Sequence, residues 1–162
     1  MSIVLPDTDA TIAAGSRLAS LLRAGDLVVL TGGLGAGKTV LTRGIGSALG
    51  VRGEVTSPTF VIARVHPSLV GGPELVHVDA YRLGGTAELD DLDLEAELEQ
   101  AVTVVEWGAG LVEGLTDDRL EVTLTPDPVT EERTMEVRGI GPRWADVDIA
   151  AVLTTEDEGG LP

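Results

Sequence analysis

Apolar residues fall into short blocks separated by Gly-, Pro- and Asp-rich punctuation, and two periods alternate along the chain. Residues 8–23, TDATIAAGSRLASLLR, place Ile12, Leu18, Leu21 and Leu22 on one helical stripe. Asp7 or Thr8 is positioned to cap its start and Gly25 to stop it. LVVLT, residues 27–31, reads as a buried strand. A glycine run and KTVLTRGIGSALG follow, the latter a helix to about Leu49. Residues 53–59 read as a loop, 60–65 (FVIARV) as a strand, and ELVHVDAY as a strand ending near Asp79. Residues 86–100 are acidic, with leucines at 89, 92, 94 and 98, the pattern of a solvated helix face rather than a metal site. TVVEW, 103–107, is another buried strand. RLEVTLT and RTMEVRG alternate around a Pro/Asp turn and predict a hairpin over 119–139 that closes one sheet edge. Residues 142–153 predict a last helix. Strands interleaved with helices predict an α/β fold, a mostly parallel sheet between two helical layers with a C-terminal antiparallel hairpin. One domain over 1–153 and a frayed tail over 154–162 complete the expectation.

Composition narrows the chemistry. The 162 residues contain no cysteine and two histidines, His66 and His77. Thiol nucleophiles and thiolate metal sites are therefore excluded, and two histidines disfavour a His-based metal cluster. No apolar run approaches the roughly 20 residues of a membrane span, and the N-terminus carries no secretory pattern. A cytoplasmic protein is expected. The net charge of −16 disfavours direct contact with nucleic acid or an anionic membrane. The only lysine is Lys38, and the only aromatics are Phe60, Tyr81, Trp107 and Trp144.

That lysine lies in Gly32-Gly33-Leu34-Gly35-Ala36-Gly37-Lys38-Thr39, which matches G-x-x-x-x-G-K-S/T between a strand and a helix. Glycines let the backbone wrap with N–H groups facing phosphate oxygens, and the helix N-terminus adds partial positive charge. Lys38 is placed to reach the β and γ phosphates, and the Thr39 hydroxyl to bind Mg²⁺. The whole therefore reads as a P-loop NTPase-like three-layer fold. An Asn-Lys-x-Asp guanine reader needs a second lysine, so ATP is the expected nucleotide. A small metabolite kinase stays open, although Arg82, Arg119, Arg133, Arg138 and Arg143 form no lid-like cluster. A binding-only nucleotide switch stays open too.

Two carboxylates end predicted strands, where ligand chemistry gathers in α/β sheets. Asp79 could hold Mg²⁺, hold the metal's water or orient the attacking water, and Glu106 repeats that logic. A plain strand-end cap is the alternative for Asp79. Thr56-Ser57-Pro58-Thr59-Phe60 is either a switch segment or an ordinary turn into a strand. His77, inside an apolar run, reads as a packed histidine.

In order and spacing, GGLGAGKT, TSPTF, HVDAYRL and VEWG resemble the TsaE (YjeE) family over about residues 7–140. The resemblance implies an ATPase component of bacterial threonylcarbamoyladenosine tRNA modification, with ATP or ADP and Mg²⁺ as ligands. It implies partner subunits of the TsaB and TsaD type, and tRNA held by those partners rather than by this chain. It also implies Thr39 and Glu106 as metal ligands and Asp79 near the γ-phosphate or the metal's water. Lys38, Asp79 and Glu106 are then the catalytic set. Leu34, Gly35, Ala36, Gly37, Lys38, Thr39 and Val40 cradle the nucleotide, with Thr8 and Arg133 as further contacts. Trp107 is either a wall beside the nucleotide or packing. Two departures stand out: Gly33 where the family usually has Asp, and Val40 where it often has a second Thr.

Overall fold

The computed structural model describes residues 1–33, 35–51, 63–79, 99–106, 117–130 and 132–154. The elements in chain order are strand β1 (Ser2–Leu5), helix α1 (Thr8–Ala19), β2 (Leu27–Thr31), α2 (Lys38–Leu49), β3 (Ala63–His66), β4 (Glu74–Asp79), β5 (Ala101–Glu106), β6 (Arg119–Pro126) and β7 (Arg133–Ile140). A 3₁₀ turn (Pro142–Trp144) and a short helix α3 (Ile149–Leu153) follow.

The strands form one seven-stranded sheet in the order β1-β7-β6-β2-β5-β4-β3. The four central strands β6, β2, β5 and β4 pair in parallel, whereas β1–β7, β7–β6 and β3–β4 are antiparallel. The α/β fold with a parallel centre is as the pattern predicts, and the β6–β7 hairpin joins the expected strands. Its edge does not stay open, because β1 pairs beyond β7, Ile3 opposite Met135. Four residues of SIVL offer too short an alternation to announce a strand before their partner is known.

Both faces of the central strands are buried. On one face Val28, Leu30, Val102, Val104, Leu120, Val122 and Leu124 pack with Ala14, Leu18, Leu41 and Ile45 of the two long helices. On the other, Leu27, Val29, Val76, Val78 and Val105 are buried as well. This two-sided burial explains why β2 and β5 read as unbroken apolar runs rather than alternations.

Helix α1 is shorter than its hydrophobic stripe. Asp7 caps it, Oδ1 accepting the Ala10 N–H at 2.8 Å. At the other end the Ser20 hydroxyl donates to the Arg17 carbonyl at 2.6 Å, and Leu21 and Leu22 donate three residues back. The chain thus tightens out of α geometry at Ser20, before Gly25. The predicted last helix is also divided. Pro142 opens the 3₁₀ turn, and Asp148 starts a new helix by accepting the Ala151 N–H at 3.0 Å.

The two long helices meet backbone to backbone. A methyl group on Gly15 would run into the Leu41 carbonyl oxygen, and one on Gly44 into the Ile12 carbonyl oxygen. The Ser16 hydroxyl bridges the crossing, within 3.3 Å of the Gly44 carbonyl. At the base of the sheet Arg143 holds Asp26 with both guanidinium contacts at 3.0–3.1 Å and donates to the Leu21 carbonyl at 2.7 Å. It also lies 4.2 Å above the Trp144 ring. The C-terminal turn is thereby fastened to the segment that leads into β2, the strand that carries the site.

Candidate functional site

Strand β2 ends at Thr31 and α2 begins at Lys38, so the glycine-rich segment spans the carboxyl edge of the sheet. Three of its glycines are needed for distinct reasons. Gly35 and Gly37 take left-handed φ values of 77° and 102°. Gly32 has a normal φ, but a methyl group there would stand 2.7 Å from the Leu124 carbonyl. Gly33 is different: a side chain there would meet nothing within 4 Å, so glycine at that position is no steric requirement.

Two cations organise the loop from inside and outside. The Lys38 ammonium donates to the carbonyls of Gly32 at 2.5 Å and Gly33 at 3.3 Å. A lysine side chain ordinarily faces solvent; Lys38 is buried. As the first residue of α2 it sits beneath the wrapped backbone, whose carbonyls supply its partners. Arg133, at the start of β7, donates from Nε to the Ala36 carbonyl at 2.9 Å and from a terminal nitrogen to the Gly35 carbonyl at 3.2 Å. In a trans peptide the N–H points opposite to its carbonyl. The N–H groups of Ala36 and Gly37 therefore face away from the guanidinium, and Ala36 donates inward to the Gly33 carbonyl at 3.1 Å. Gly37, the N-cap of α2, offers no side chain to the first-turn N–H groups, and that turn contains no acidic residue. The arrangement is suited to an anion, with helix-end dipole and side-chain charge of the same sign.

Other predicted residues cluster around this loop. Thr39 and Val40 occupy the first turn of α2, both half-buried. Thr8 is exposed at the first turn of α1. That turn abuts the loop through Thr11, whose methyl would lie 3.8 Å from a Cβ on Gly37. Thr11 went unnoticed in the sequence because a buried threonine in a helix leaves no pattern; its hydroxyl donates to the Asp7 carbonyl at 3.2 Å.

Glu106 closes β5, in register with Leu30 of β2 on one side and with Asp79 of β4 on the other. The two strand-end positions are thus in register on neighbouring strands, with Glu106 next to the strand that feeds the loop. Glu106 is buried, and its Oε2 lies 2.5 Å from His77 Nε2. A carboxylate only accepts, so the imidazole donates. His77 is packed inside the molecule, as its apolar surroundings predict, but it is also the partner of Glu106, which the sequence did not reveal. The residues are 29 apart and meet only because β4 and β5 are neighbours.

Glu106 and the Thr39 hydroxyl are hard oxygen donors of the kind Mg²⁺ takes. Among the described residues no group of three or more His, Asp or Glu forms a self-sufficient metal cage. A donor set this sparse suits Mg²⁺ carried in part by phosphate oxygens. Leu34, Thr56 to Phe60, Tyr81, the acidic run through Leu98, Trp107 and the tail from residue 155 onward lie outside the described residues.

The comparisons with known proteins agree with this geometry. A family model described as threonylcarbamoyl adenosine biosynthesis protein TsaE matches residues 5–135. A tRNA threonylcarbamoyladenosine biosynthesis protein TsaE from Streptomyces coelicolor is 62% identical over 142 residues, covering 85% of this chain and 96% of that protein. The protein of the same name from Bacillus subtilis is 34% identical over 135 residues, covering 83% and 82%. The crystal structure of Bacillus subtilis YdiB superposes with a TM-score of 0.74 at 28% identity, covering 94% of this chain and 93% of that one. On its family match and on these relatives, this chain belongs to the TsaE family.

Proposed function

We propose that this protein is a Mg²⁺-dependent ATPase that supports threonylcarbamoyl transfer to the adenosine beside the anticodon of ANN-decoding tRNAs. It works within a complex that includes TsaB- and TsaD-type subunits. One observation carries the ATP-binding half of this reading. In a chain of net charge −16, the only lysine and Arg133 converge on the same glycine-rich loop at a helix N-terminus. Such a concentration of positive potential fits a polyphosphate. The pathway half rests on the relatives, which are tRNA threonylcarbamoyladenosine biosynthesis proteins.

In this reading Gly35, Ala36, Gly37, Lys38 and Thr39, with Leu34 and Val40, wrap the phosphates. Thr39 and Glu106 would hold Mg²⁺, whose charge would offset that of the phosphates. Asp79 orients the attacking water or the metal's water. Thr8 and Arg133 flank the nucleotide. Charge placement of this kind carries most of phosphoryl-transfer catalysis. The test is steady-state phosphate release from ATP by the protein alone and with the two partner subunits, with and without Mg²⁺. Release that needs both Mg²⁺ and the partners supports the reading. Transfer to a small hydroxyl acceptor in place of water would replace it with a metabolite kinase.

A further inference from the structure

We infer that His77 is the positioning residue for Glu106, setting the orientation of the carboxylate that meets nucleotide-bound Mg²⁺. The inference rests on the role proposed above for Glu106. His77 is fully buried, in a strand whose neighbours Leu75, Val76 and Val78 are buried and apolar. An apolar residue there would pack without needing a polar partner. The imidazole brings a cost instead, because its Nδ1 is buried with no hydrogen-bond partner among the described residues. A buried His–carboxylate contact is weak grounds for stability, since well-packed apolar substitutes often do as well.

What the contact does achieve is geometric. The ring is held on all sides by the interior, and its Nε2–H engages Oε2 of a carboxylate that is itself buried. Glu106 has three side-chain torsions, and this one bond to a rigid donor removes most of their freedom. Oε1 accepts no hydrogen bond among the described residues, so it is the oxygen available to a ligand. Partners of this kind orient metal-binding groups, and losing one typically costs about 10- to 100-fold in metal affinity or activity.

The experiment measures ADP affinity with Mg²⁺ and with chelator, by calorimetry, for the wild type, His77→Leu, His77→Gln, Glu106→Ala and the His77→Leu/Glu106→Ala double variant. His77→Leu is expected to keep chelator-condition affinity and to lose about tenfold or more of the gain from Mg²⁺. In the reconstituted complex its kcat should fall, and KM for ATP should rise in step with the lost Mg²⁺ gain. His77→Gln, whose amide nitrogen can replace Nε2, should restore most of both. In the Glu106→Ala background His77→Leu should have no further effect. A wild-type measurement guards against misfolding of the variant: the His77 Nε2 resonance should shift on adding Mg²⁺ with ADP and not with ADP alone. An unchanged Mg²⁺ gain in folded His77→Leu, an effect that persists without Glu106, or an unmoved resonance would each overturn the inference and leave the ATPase reading intact. If the wild type shows no Mg²⁺ gain and no hydrolysis with its partners, the role of Glu106 falls, and the inference falls with it.

Discussion

Lys38 shows how one residue serves two purposes. Its ammonium holds the carbonyls of Gly32 and Gly33, so it shapes the loop as well as charging it. Lys38→Ala is expected to remain folded, as judged by thermal melting. It should weaken ADP binding by about tenfold or more, the worth of one or two charge-assisted hydrogen bonds. Unchanged affinity would remove the loop from the site. Asp79 and Glu106 should behave differently, since they leave the metal-free grip of the loop on ADP intact. Asp79→Ala and Glu106→Ala should each retain ADP binding in chelator yet cut hydrolysis in the complete assembly by about a hundredfold or more. Normal hydrolysis by both variants would show that the strand-end acids have been misassigned. The glycine motif, its lysine and both acids were legible in the sequence, because their chemistry depends on local spacing and strand ends. The His77–Glu106 contact was not, because it depends on which strands become neighbours.

At the level of elements, the helix crossing is decided by small residues. The stripe Ile12, Leu18, Leu21 and Leu22 suggested an ordinary aliphatic face. The structure buries Leu18 and Leu22 of that stripe, adds Thr11, Ala14, Gly15 and Ala19, and brings the backbones of α1 and α2 into contact at Gly15 and Gly44. Because α2 starts at the phosphate loop and the first turn of α1 borders it, this crossing also sets the spacing of the site's walls. Gly15→Ala and Gly44→Ala should each destabilise the fold by about 1–3 kcal/mol or more, the cost of forcing packed elements apart. Urea denaturation measures this, and a loss below a few tenths would contradict the close approach. The β6–β7 turn offers a pH-dependent counterpart. The exposed Asp127 carboxyl lies below its ordinary value of 3.8, chiefly because it accepts the Val129 N–H, with the Thr130 N–H as the next cause. A lowered folded-state value means that its stabilising contribution is present above about pH 4 and fades as the pH falls through the lowered value. The stability difference between wild type and Asp127→Ala should accordingly shrink on acidification, and a difference that grew would reverse the sign of the argument.

Across the whole molecule, charge divides the labour. The chain's net charge is −16, which disfavours approach to tRNA, and its one lysine is engaged by the loop. The isolated protein is expected to show no measurable tRNA binding at physiological salt, by filter binding or anisotropy. Hydrolysis should be slow alone and should rise with the two partner subunits. Strong stimulation by tRNA alone would contradict the electrostatic argument.

What the sequence determined by itself was what local order determines: a phosphate loop between a buried strand and a helix, carboxylates at strand ends, a hairpin with its turn, and signatures that marked the family. Each follows from residues within about a dozen positions of one another, where periodicity, φ requirements and spacing act directly. The tertiary structure alone decided the outer pairing of β1 on β7, the early end of α1 at Ser20, the glycine-to-glycine helix crossing, the burial of Lys38, and the meeting of His77 with Glu106. These join distant segments or depend on competition between side chain and backbone. Their free energy appears only when the partner surface is in place, so no local pattern encodes it.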